Sequence, residues 1–228
     1  MNSFAINLDH IKSRIRAAAE ASGRDPEGIK LVAVSKTHPP EVVQGVANCG
    51  QTAFGENKIQ EAQAKIPLLP PSLEWHFIGH LQSNKIRKAL PIFQLFHGVD
   101  NLNLALQMER ISGESGCSSR VLLEVNVSGE ESKFGFQPDR LREVISELLA
   151  LRHVQVLGLM TMAPYSEDPL AAKPFFSALR LLRDDLRGQT GAALPELSMG
   201  MSGDFEAAIA EGSTIVRIGS AIFGERPR

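Results

Sequence analysis

Residues 31–55 read LVAVSKTHPPEVVQGVANCGQTAFG, and the punctuation of this stretch decides the fold. LVAVS (31–35) is a short apolar run, PEVVQGVAN has helical spacing and opens on proline, and TAFG (52–55) is a second apolar run. The same alternation continues through WHFIG (75–79), FQLFHGV (93–99), RVLLEVN (120–126), VLGLMTM (156–162), ELSMG (196–200) and TIVRIG (214–219). That makes eight runs, separated by helical stretches such as DNLNLALQMERI and PDRLREVISELLAL. Strands apolar on both faces and alternating with helices imply a parallel sheet covered on both sides. Eight of them predict closure into a single α/β domain, a (β/α)8 TIM-type barrel over 1–228. An open doubly wound sheet is the other reading, and the missing G-x-G-x-x-G after the first run counts against its dinucleotide-binding form.

The chain runs only a few residues past the eighth strand, which predicts an outer slot without its final helix. An extra N-terminal helix over 4–22, with Phe4, Leu8, Ile11, Ile15 and Ala19 on one face, is expected to fill that slot.

Composition narrows the function. The 228 residues carry 24 Lys plus Arg against 26 Asp plus Glu, a net charge of −2, with 43% hydrophobic residues. This balance lacks the basic field of a nucleic-acid binder. Cys49 and Cys117 form no C-x-x-C, which argues against a disulfide framework and a structural zinc site and for a cytoplasmic location. The N-terminus breaks its apolar residues with Asp9, Lys12, Arg14 and Arg16, so neither a signal peptide nor a membrane span is expected.

In a barrel of this kind chemistry sits at the C-terminal ends of the strands. Strand alternation puts Val32, Val34 and Lys36 on one face, so Lys36 is a candidate nucleophile at the mouth of an apolar lumen. The loops after the seventh and eighth strands, GMSGD and IGSAIFG, offer Ser202, Gly219 and Ser220 as a phosphate cradle. Gly219 to Gly224 has the spacing of a P-loop, but Glu225 and Arg226 replace its Lys and Ser/Thr. Asp204 is expected to turn away and cap the helix that follows it. Arg217 shares parity with Ile215 and Gly219 and therefore faces inward, toward a ligand acceptor or a barrel carboxylate such as Glu124. A lysine, a phosphate cradle and an arginine between them match the imine, phosphate and ring nitrogen of pyridoxal 5′-phosphate. His76 and His80 lie roughly 13 Å apart along an extended strand, too far to share a metal, and no metal site is expected. His80 is read either as a helix cap or as a ligand contact, and Asn57 either as a cap or as a contact to the cofactor's phenolic oxygen.

The motifs LVAVSKTHPPE, FGENKIQEAQAK, WHFIGHLQSNK, GLMTMAP and ELSMGMSGDFEAAIAEGSTIVRIGSAIFGER together resemble the pyridoxal phosphate homeostasis protein family, a single-domain barrel similar to the N-terminal domain of alanine racemase. The resemblance spans about residues 4 to 227. It implies that Lys36 carries the Schiff base, that Arg217 faces the pyridine nitrogen, and that Ser202, Gly219 and Ser220 hold the phosphate, with Asn57 beside the ring. Position 220 is often Thr in the family, and Ser keeps the hydroxyl. Position 58 is Lys where an aromatic is frequent.

Racemases similar to this barrel add a C-terminal β domain and a tyrosine from the partner subunit, whereas this chain stops at Arg228 and its one tyrosine is Tyr165. The expected function is therefore a monomeric pyridoxal phosphate holder without a committed catalytic role, acting in vitamin B6 and amino-acid balance, with cofactor-dependent apo-enzymes as candidate recipients. The alternatives are a racemase or decarboxylase using Tyr165 or His80 as second acid/base, and a sugar-phosphate enzyme with Lys36 as an aldolase-type amine.

Overall fold

The computed structural model describes residues 3–130 and 133–224. Eight parallel strands close into a barrel in sequence order: β1 (Lys30–Val34), β2 (Ala53–Glu56), β3 (Glu74–Phe77), β4 (Leu95–Val99), β5 (Ser119–Glu124), β6 (Val154–Met160), β7 (Glu196–Ser198) and β8 (Ile215–Ile218). All eight runs read from the sequence are strands, so the expected barrel is the observed one. Glu225 and Arg226, which set a P-loop aside, lie outside the described residues.

The helices form the outer ring: α1 (Ser3–Ala21), α2 (Pro40–Ala47), α3 (Ile59–Lys65), α4 (Ile86–Ala89), α5 (Leu102–Glu114), α6 (Pro138–Leu149), α7 (Lys173–Thr190), α8 (Phe205–Ala210) and α9 (Ser220–Phe223). Their ends follow local chemistry. Asn101 Oδ1 accepts the Leu104 N–H at 2.8 Å to start α5, and Gly191 takes φ 71° to end α7. The Glu109 carboxylate on α5 accepts the N–H groups of Arg152, His153 and Val154, fixing where β6 begins.

Strand parity separates two apolar layers. Val32, Ala53, Leu95, Leu122, Met160 and Ile215 pack inside the lumen, whereas Leu31, Ala33, Val216 and Ile218 pack outward against helices. The eighth strand is followed by the short α9, so the expected bare slot already holds one helical turn. Helix α1 completes it: Leu8, Ile11, Ile15 and Ala19 are buried, and its face lies against α2, α8 and α9. Asn7 Nδ2 donates to Ile222 O at 3.0 Å, and Arg14 pairs with Glu206 on α8. Phe4, expected on the buried face, is only half-buried.

No helix among the described residues is long and apolar enough to cross a membrane. Both cysteines are free thiols.

Of the glycines, Gly158 leaves the least room for a side chain. A Cβ there would sit 1.9 Å from the Glu196 carbonyl oxygen, so Gly158→Ala must push β6 and β7 apart. A destabilisation of about 3 kcal/mol or more is expected by urea denaturation. Gly188→Ala on the exposed face of α7, with open space around the new methyl, is expected to gain a few tenths of a kcal/mol up to about 1.

Candidate cofactor-binding site

Barrel closure brings the ends of β1 and β8 together: Val32 pairs with Arg217 and Ala33 with Ile218. A cavity of about 490 Å³ opens where these strands meet the loops after β6 and β7. Lys36, Ser202, Arg217, Gly219 and Ser220, five of the six residues singled out from the sequence, line it. Asn57 does not. It lies just past β2, its backbone against Gly79, where a Cβ would meet the Asn57 carbonyl oxygen at 2.4 Å. Nor does it cap a helix, since Lys58 takes the N-cap position of α3 without a side-chain bond.

The segment carrying Lys36 is held on both sides. Before it, Ser35 Oγ donates to Glu56 Oε1 at 2.7 Å, while Lys65 Nζ donates to the same carboxylate oxygen at 2.6 Å and to the Ser35 carbonyl at 2.9 Å, all buried. After it, Thr37 adopts φ 69°, a left-handed conformation strained for a β-branched residue, and its N–H donates to Glu61 Oε2. The strand is thereby stopped at the rim with Lys36 at the cavity.

Arg217 is 5% exposed. Its Nη1 donates to Ser198 Oγ at 2.5 Å and its Nη2 to the Thr161 carbonyl at 3.0 Å. A hydroxyl and a carbonyl, not the Glu124 carboxylate, are therefore its direct partners. Burial lowers its pKa to about 10, against the opposing pull of Glu124 and Asp204, which leaves it a cation at neutral pH. Five guanidinium N–H groups exceed the two used here, so donors remain for an acceptor in the cavity.

The glycine–serine loops supply further donors. The N–H groups of Ser202, Gly203 and Ser220 have no acceptor among the described residues. Asp204 differs from expectation: its Oδ1 accepts the Met201 N–H at 2.6 Å and makes no cap bond to α8. Its side chain closes the turn that presents Ser202 and Gly203, and burial raises its pKa.

His80 neither caps a helix nor lines the cavity. Its Nδ1 lies 2.9 Å from Asp100 Oδ2 and its ring stacks on Phe134 at 4.0 Å. Tyr165 does line the cavity but is 92% exposed at the rim. No group of three or more His, Cys, Asp or Glu side chains among the described residues could hold a metal ion.

Sequence reasoning missed the buried network below the cavity. His76 Nδ1 lies 2.8 Å from His97 Nε2, and His97 Nδ1 lies 2.8 Å from Ser198 Oγ, the hydroxyl that accepts from Arg217. Inward parity of His76, His97 and Ser198 was readable, but contact between β4 and β7 across the lumen was not.

The architecture and its mouth define a (β/α)8 barrel of the alanine racemase N-terminal domain class, and the family model described as "Alanine racemase, N-terminal domain" matches residues 6–227. A pyridoxal phosphate homeostasis protein of Aquifex aeolicus is 47% identical, covering 96% of each chain, and one of Escherichia coli is 41% identical over 99% of this chain and 98% of that protein. PipY of Synechococcus elongatus, solved with PLP bound, superposes with a TM-score of 0.87 at 38% identity, covering 97% of this chain and all of that one. Alanine racemase of Clostridium difficile shares the fold at 17% identity and a TM-score of 0.75, this chain covering 58% of its length. The chain belongs to the pyridoxal phosphate homeostasis protein family.

Glu124, on β5 facing the lumen mouth, is the group whose titration is most displaced toward neutral pH. Burial first, then the nearby Asp100 charge, raise its pKa from 4.5 to about 7, with Arg217 opposing. Between these values the folded state binds more protons than the unfolded one, so this contribution to stability is full below about 4.5 and is lost as pH rises through about 7. Glu124→Gln is expected to be relatively more stable at pH 8 than at pH 4.5, by up to roughly 3 kcal/mol against the parent. Urea denaturation at both pH values measures that difference.

Proposed function

We propose that the protein binds pyridoxal 5′-phosphate at the barrel mouth and acts as a holder and donor of this cofactor. The convergence of Lys36, Arg217 and the two glycine–serine loops on one cavity carries the reading. The donor set suits the ligand: N–H groups of Ser202, Gly203 and Ser220 without an acceptor among the described residues, with the hydroxyls of Ser202 and Ser220, for a phosphate, a cationic donor at Arg217 for an unprotonated ring nitrogen, and a primary amine at Lys36.

When bound, pyridoxal phosphate supplies an aldehyde that condenses with an amine and a ring that draws electrons from it. Lys36 supplies the amine of the Schiff base. Arg217, a permanent cation, disfavours a second positive charge on the ring nitrogen and so weakens the ring as an electron sink. Ser202, Gly219 and Ser220 hold the phosphate. Asn57, which is not among the residues lining the cavity, is assigned to the ring on the family resemblance alone.

The assignment to a holder, not a racemase, rests on proton transfer. Exchange on both faces of a substrate carbon needs two positioned groups. Of the two candidates for a second group, Tyr165 projects into solvent, and His80 is bound to Asp100 and Phe134 away from the cavity. Names given to the relatives, homeostasis proteins, agree with that role. We read the chain as a single-domain monomer of the cytoplasm whose recipients are apo-enzymes that use the cofactor.

Titration with pyridoxal phosphate followed by visible absorbance is expected to give a band that Lys36→Ala abolishes while weaker, phosphate-dependent binding persists. Ser202→Ala is expected to weaken binding roughly ten-fold with the band retained. Turnover of an amino acid at an enzyme-like rate, dependent on Lys36, would overturn the holder reading.

A further inference from the structure

A hydrogen-bonded chain runs through the lumen from the N-terminal end of β3 to Arg217. At its outer end the Glu74 carboxylate lies 2.9 Å from Lys30 Nζ and from His76 Nε2, beside a cavity of about 400 Å³ that Lys12, Arg16 and Lys30 help to line. From there it passes through His76, His97 and Ser198 to Arg217, and Arg217 ends it on the Thr161 carbonyl. The two imidazoles and the Ser198 hydroxyl are fully buried. Apolar side chains of similar volume would fill this space without the desolvation cost of these three polar groups, so packing alone does not account for it.

The donors all point one way. Arginine only donates, so Ser198 Oγ accepts from it, and because the Glu74 carboxylate only accepts at the far end, Ser198 offers its own proton to His97 Nδ1. A neutral His97 then carries its proton on Nε2 and donates to His76 Nδ1. His76 in turn carries its proton on Nε2 and donates to Glu74. The opposite polarity would point an unprotonated His76 Nε2 at the Glu74 carboxylate, or require a cationic His76. Burial, with Lys30 and Arg120 nearby, holds the His76 pKa down, and burial, His76 and Arg217 hold that of His97 well below the ordinary value. Glu74, accepting from His76 and Lys30, is held ionised with a pKa of about 2.

We propose that Glu74, His76, His97 and Ser198 are positioning residues, a hydrogen-bond chain of single polarity that holds the Arg217 guanidinium in one orientation at the cavity floor. What Arg217 presents to a ligand is thereby set by a carboxylate at the other end of the barrel. The chain's consequence for pyridoxal phosphate rests on the function proposed above; its existence does not.

The test is two-bond ¹⁵N–¹H correlation NMR of the full chain without added cofactor. His76 and His97 are both expected as neutral Nε2–H tautomers. In Ser198→Ala the Arg217 guanidinium protons are expected to exchange roughly ten-fold faster, and in Glu74→Gln the imidazole signals of both histidines and the Arg217 signals are expected to shift. A His97 protonated on Nδ1, or a Glu74→Gln perturbation confined to His76, would overturn the proposal. The tautomer result needs no variant and stands whether or not the variants fold. With pyridoxal phosphate added, Ser198→Ala is expected to shift the visible absorbance maximum while attachment at Lys36 is kept; an unmoved maximum would refute the link to the ligand.

Discussion

The pairing of β8 with β1 is the constraint on which the rest of the molecule depends. It abolishes the sheet's two edges and sets Val32 opposite Arg217, which fixes Lys36 and Gly219 on neighbouring strand ends. A slip of one residue in that register would turn Arg217 out among the helices and bring Ile218 into the lumen. Helix α1 secures the closure from outside, because it packs over the place where the last strand meets the first.

The lumen divides its labour between apolar and hydrogen-bonded side chains. One layer is apolar, Val32, Ala53, Leu95, Leu122, Met160 and Ile215, and gives the barrel a packed centre. Next to it run the histidines, Ser198 and Arg217, so that the residues nearest the cavity are held by directional bonds as well as by volume. Around the rim the same principle recurs: Ser35, Glu56 and Lys65 hold the strand before Lys36, and Asp204 closes the turn before the Ser202 loop. A small ligand meets side chains that are already placed, which lowers the ordering cost of binding.

Much of this was legible in the sequence. Run length and count gave the strands, because fully buried parallel strands need apolar residues on both faces, and period-two parity put Lys36 and Arg217 inside. The family resemblance added their assignment to an imine and a ring nitrogen. Other features depended on contacts between distant parts of the chain. His97 meets Ser198 across the lumen, 101 positions away, and no local period encodes that. His80 was weighed as a cap or ligand contact, yet Asp100 and Phe134 take it. Asp204 has a capping residue's identity and position, but the nearer Met201 N–H wins its carboxylate. The turn at Thr37 was hidden as well, since nothing in threonine's identity favours a positive φ.

The central claim is that one lysine, Lys36, anchors pyridoxal phosphate in this cavity. Its most direct test is borohydride reduction of the protein with pyridoxal phosphate, followed by peptide mapping by mass spectrometry. The account predicts a phosphopyridoxyl group on Lys36 at near-stoichiometric occupancy. Label on Lys12, Lys30 and other surface lysines with Lys36 unmodified would contradict it.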